Sequence, residues 1–140
     1  MTNKNPHAKS CIRVYNADEQ STSVKGFSPL KLEGIPQVDS GCSLSLKESY
    51  IQVNTPGLYH FTADMVVISK EPVDVQLFIN STPIAGTLMN IPGCTQKLRY
   101  HFETEVCIST CRMNHPKVTI QADSPEAKVS MLNFGALKLA

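Results

Sequence analysis

The chain has no tryptophan, and its aromatics are limited to four tyrosines and five phenylalanines. Charged residues make up only 18% of it, against about 25% in an average soluble protein. The charges nearly cancel, thirteen basic against twelve acidic side chains, for a net charge of +1. That balance excludes the basic footprint that captures nucleic acid or an anionic membrane, so neither is expected as a partner. Seven glycines and nine prolines among 140 residues are too few for a collagen-like or disordered chain. The longest uninterrupted apolar run, Met65 to Ile68, is far too short to span a bilayer. The first ten residues, MTNKNPHAKS, lack the apolar core of a signal peptide, so folding in a reducing cytoplasm is expected.

What is present is a 41% hydrophobic chain of single-domain length. At this size folding buries roughly 68–70% of the unfolded surface, enough for a core without staples. The dominant hydrophobic period is two. Tyr59, Phe61, Ala63, Met65 and Val67 share one side of a strand, opposite Leu58, His60, Thr62, Asp64 and Val66. The same alternation runs through Val73 to Ile79, Leu98 to Ile108 and Val118 to Ala122. Cys11 to Tyr15, Leu30 to Leu32, Cys42 to Leu46 and Tyr50 to Val53 read as shorter strands. Turn signals punctuate them at Thr55-Pro56-Gly57, Asn80 to Pro83, Asn90 to Gly93, Asn114-His115-Pro116 and Asp123-Ser124-Pro125. No stretch carries a capped helical stripe. Short strands and short loops without helices indicate an all-β sandwich or barrel. Residues 1–9 are expected to form a flexible arm ahead of one domain over 10–140.

The last strand differs from the rest. Met131, Asn133, Gly135 and Leu137 share one face, and Leu132, Phe134 and Ala136 the other. Apolar residues on both faces imply burial on both, and a neighbouring subunit is the simplest cover for the second. Leu132, Phe134 and Ala136 are therefore candidate subunit-interface residues. Parity alone does not say which face meets the core.

Chemistry-bearing residues are sparse. Cysteines fall at 11, 42, 94, 107 and 111, an odd number that argues against a disulfide framework and for small buried hydrophobes. Metal ligation would have to use His60 and His101, or Cys107, Cys111 and His115. The second set lacks the paired spacing of a zinc ribbon or finger, so no metal and no cofactor is expected. Cys107 or Cys111 with His101 or His115 supplies the types for a nucleophile pair, but no motif builds an oxyanion hole. A Gly-rich phosphate loop, a His-x-x-x-His pair and a catalytic acidic doublet are all missing, so no enzyme is expected. Asn80-Ser81-Thr82 fits the glycosylation pattern, although Pro83 makes it a turn. Phe78 falls on the polar side of its strand, where it is an interface residue, part of a ligand patch or an isolated exposed ring.

Three segments carry a family resemblance. Tyr50 to Phe61, with Pro56-Gly57 ahead of an aromatic strand, resembles the signature of the tumour-necrosis-factor and complement globular-head jelly rolls. Val73 to Asn80 resembles their next strand, and the chain closes on an apolar strand at Leu137-Lys138-Leu139 as those domains do. Ser10 to Asn16, Gly41 to Leu44 and Thr82 to Gly86 are similar to segments of small proteins of Firmicute bacteria and their phages. The resemblance implies an all-β, two-sheet antiparallel jelly-roll sandwich of ten strands, a homotrimer about a threefold axis and no catalytic residues. In that arrangement His60 and His101 would lie near the axis, in the subunit interface. The expected role is a structural or decorating protein of a bacteriophage or prophage particle, made in the bacterial cytoplasm and carried on the virion. Its partners would be other virion proteins. The alternatives are a trimeric module that binds a cell-surface glycan or protein, and a bacterial surface or spore-coat protein.

Overall fold

The computed structural model describes residues 10–22, 26–33, 36–110 and 115–140. The expected arm over 1–9 lies outside them, as does Cys111. Among the described residues there are thirteen strands and no helix long and apolar enough to cross a membrane.

One sheet is built from β1 (Cys11–Asn16), β2 (Gln20–Thr22), β4 (Val38–Ser40), β7 (Gly57–Ser69), β11 (Cys94–Ile108) and β13 (Ala127–Lys138). Its main order is β11-β7-β13-β1-β4, with β2 on the far end of β13. The second sheet holds β3 (Ser28–Pro29), β5 (Leu44–Lys47), β6 (Tyr50–Val53), β8 (Val73–Ile79), β9 (Thr82–Pro83), β10 (Met89–Ile91) and β12 (Lys117–Asp123). Its main order is β10-β8-β12-β6-β5, with β3 pairing β12 and β9 pairing β8. Every pairing is antiparallel. The five strands in line in each sheet make the ten-strand, two-sheet jelly roll that the resemblance implied.

The core fills the space between the sheets, and period-two parity puts it there. Tyr59, Phe61, Ala63 and Met65 of β7 are fully buried, and they meet Val73, Val75, Leu77, Val118 and Ile120 of the second sheet in one apolar cluster. Phe61 and Phe134 stack, with ring centroids 6.1 Å apart. The Tyr59 hydroxyl donates to the Thr55 carbonyl at 2.6 Å, so a buried ring keeps its polar end satisfied at the Pro56-Gly57 turn.

Leu132, Phe134 and Ala136 belong to this core. Side chains sealed inside one sandwich do not reach a neighbouring subunit, which corrects their assignment to the interface. The outer face of β13 is the one bearing Met131, Asn133, Gly135 and Leu137. A β-bulge sets this phase. Ser130 pairs Val66 but Asn133 pairs Asp64, so β13 carries one extra residue there. Met131 takes it up at φ 52 and is 44% exposed, leaving both Val129 and Leu132 pointing inward.

Other boundaries shift as well. Leu30 and Leu32 are buried but form no strand; the short strand β3 precedes them, and Leu30 N–H donates to the Ile120 carbonyl at 2.8 Å. Part of the turn read at Asn90 to Gly93 is strand β10, whose ladder with β8 ends at Ile91, just before Pro92. The four described cysteines do not fill the core. Cys42 and Cys107 are exposed, Cys11 and Cys94 half-buried, and all four are free thiols.

Removing the Phe134 ring should destabilise the domain by about 3–5 kcal/mol, the usual cost of a Phe-to-Ala cavity. Met131→Asp, on the outer face, should leave the fold intact. Urea unfolding of the two variants side by side checks both expectations. At least two thiols, Cys42 and Cys107, should react with a thiol reagent in the native protein.

Candidate functional site

The outer face of the first sheet brings together most of the polar chemistry singled out in the sequence. Register stacks its side chains into three cross-strand rows. Tyr15, Asn133, Asp64 and His101 form the first row. Arg13, Gly135, Thr62 and Glu103 form the second, and Cys11, Leu137, His60 and Glu105 the third. Each row runs from β1 across β13 and β7 to the edge strand β11.

His101 Nδ1 donates to Asp64 Oδ1 at 2.8 Å, across the β11–β7 ladder. His101 Nε2 also stands 3.5 Å from Glu103. His60 lies 3.6 Å from Glu103 and 3.8 Å from Glu105. The hydrogen bond to Asp64 raises the His101 pKa above its ordinary 6.5; desolvation opposes that rise, and the negative charge of Asp64 and contacts with Glu103 add to it. Both histidines are thus paired with carboxylates on the same face. Among the described residues no group of three or more His, Cys, Asp or Glu side chains is placed to hold a metal ion.

The other candidates are dispersed. Cys107 pairs with Leu58 at the far end of β11. It lies six residues along that strand from His101, roughly 20 Å away, which rules out a nucleophile–base pair. His115 lines a cleft on the second sheet with Phe78 and Tyr50. Phe78 is not an exposed ring: it is 7% exposed, and Phe27 packs on it with ring centroids 5.2 Å apart. Asn80 and Ser81 form the expected turn.

Gly135 was not foreseen as a site residue. It leaves a depression of about 150 Å³ at the middle of the face, bordered by Arg13, His60, Thr62 and Leu137. A Cβ added there would stand 3.3 Å from both the Ile12 carbonyl and the Thr62 hydroxyl, so the backbone is closely invested on each side. Arg13 bounds one flank of the depression, and Glu103 and Glu105 lie beyond the other. On the β11 flank Arg99 shares the outer face with Glu103 and Glu105, so charges of both signs border a small apolar centre.

No family model matches the chain, and no curated protein matches it in sequence. Its fold does match solved structures. PRD1 vertex protein P5 superposes with a TM-score of 0.70 at 13% identity, covering 94% of this chain and 73% of that one. Murine APRIL at pH 8.0 gives 0.71 at 11% identity over 94% of this chain and all of the other. The Eiger TNF from S. frugiperda gives 0.68 at 11% identity, covering 94% and 93%. These likenesses show a TNF-like jelly roll.

The His101–Asp64 pair has a pH signature. A histidine whose folded pKa is raised adds stability that is complete below about 6.5 and lost as pH rises through the raised value. Asp64→Asn should lower the His101 midpoint in an NMR titration and flatten that part of the stability–pH curve. An unchanged midpoint would mean that Asp64 does not hold the imidazolium.

Proposed function

We propose that this protein is a non-enzymatic structural or decorating subunit of a phage or prophage particle, assembled as a homotrimer through the outer face of the first sheet. The observation that carries the reading is the jelly roll shared with a vertex protein over 94% of the chain. The face itself supports assembly. Arg13 on one flank and Glu103 and Glu105 on the other suit a contact in which Arg13 of each copy meets carboxylates of the next. Such head-to-tail contacts close into a ring when the rotation is right, and a threefold ring is the order that the resemblance implies. Leu137, half-buried beside the Gly135 depression, and His60 and His101 would lie within that interface. The particle would then carry the subunit as a compact knob, with other virion proteins as its partners.

Sedimentation of the purified protein should give a species of three times the 15.4 kDa chain mass. Leu137→Asp should yield a folded chain of single mass, because the charge would enter the interface while the core stays untouched. A monomeric wild type would overturn the assembly. Genes next to the coding sequence test the biological role: capsid or tail genes support it, and spore-coat genes contradict it.

A further inference from the structure

The second sheet carries a feature that subunit assembly leaves unused. On its outer face a cleft of about 770 Å³ lies over β12, between the end of β8 and the start of β6. Its size falls within the range of small-ligand sites. Phe27 reaches across to Phe78 to give the cleft an aromatic floor. Tyr50 stands at its side, with Lys117 Nζ 5.1 Å from the ring centroid.

The polar groups around this floor are held in place. Gln121 Nε2 donates to Thr119 Oγ1 at 3.0 Å, leaving the Thr119 proton and Gln121 Oε1 to a ligand. Asn80 sits at φ 56, in the left-handed region that a non-glycine residue rarely adopts. Two bonds hold it there: its N–H donates to the Lys117 carbonyl at 2.8 Å, and its Oδ1 accepts from Lys117 N–H at 3.1 Å. The Asn80 amide nitrogen remains available at the rim. Among the described residues lining the cleft, Lys117 and His115 are the groups that can carry positive charge, and none is acidic.

We propose that this cleft is a saccharide site that takes an anionic sugar. A pyranose presents an apolar C–H face and a ring of hydroxyls that both donate and accept. An aromatic floor bordered by hydroxyl and amide side chains matches that alternation. An unpaired carboxylate on the sugar would meet Lys117, which no acidic side chain among the described residues of the cleft neutralises. An extended peptide fits less well. The cleft lies on the face of paired strands, where the ladder already uses the backbone donors of β12 and β8. The described residues that line it all come from one chain, so its test does not depend on the trimer.

Calorimetric titration of the purified protein with hyaluronan tetrasaccharide, sialyllactose, chitotetraose and lactose tests the proposal. At least one of the two acidic sugars should bind, about tenfold or more tighter than its neutral counterpart, equivalent to about 1.4 kcal/mol. Lys117→Gln should abolish that preference. Phe27→Ala should weaken every bound sugar about tenfold, with circular dichroism confirming an intact fold. Leu137→Asp, on the other sheet, should bind as wild type does, so a failed trimer and a failed cleft give different results. The proposal is overturned if neither acidic sugar binds at millimolar concentration, if neutral sugars bind equally well, or if Lys117→Gln keeps the preference.

Discussion

The pairing of β7 with β13 is the constraint on which the remaining structure depends. Strand side chains alternate with a period of two, so one register decides which residues of both strands face inward. With Phe134 opposite Ala63 and Ala136 opposite Phe61, the two aromatic rings stack inside the sandwich. The same register sends Asp64, Thr62 and His60 outward beside Asn133, Gly135 and Leu137. A slip of one residue would push Asp64 and His60 into the core and turn Phe61 to the surface. Core and polar face are thus two sides of a single choice. The bulge at Met131 makes the choice possible along the whole of β13, because it resets the phase between Val129 and Leu132.

The sequence was most legible where one face of a strand is apolar and the other polar. Tyr59 to Val67 against Leu58 to Val66 is such a case, and the buried set is the one the alternation marked. β13 was ambiguous because Met131 and Leu137 give its second face an apolar character too, and a bulge cannot be seen in a hydrophobic pattern. Leu30 and Leu32 reveal a different limit: burial leaves an apolar signature even where no ladder forms. Pro92 and Gly93 hid β10, since turn residues mark the end of a strand as readily as a loop. His60 and His101 could be placed on polar sides by parity, but their carboxylate partners required the register of β11 against β7. Gly135 had no signal of its own, because its contribution is the absence of a side chain.

The two outer faces differ in a way that follows from what each sheet lacks. The first has cross-strand charges and a small central depression, so its chemistry is spread across the rows of four strands. The second concentrates aromatic and amide groups over β12, where Phe27 covers a ring that parity had placed toward solvent. Most of these side chains project from strands rather than loops. Their positions are therefore set by ladder hydrogen bonds and need little ordering when something binds.

The edge strand β11 runs for fifteen residues and, among the described residues, pairs on one side only, with β7. An edge of that length is a template for further strands, and unprotected sheets polymerise through such edges. Here Lys97, Arg99, Glu103 and Glu105 are exposed along it, and the ladder is interrupted between Cys94 and Leu98. A third chain adding its own backbone to β11 would have to accommodate both signs of charge and a break in register. The charged side chains of β11, with the break in its ladder, therefore also guard its open edge against strand addition and fibril growth.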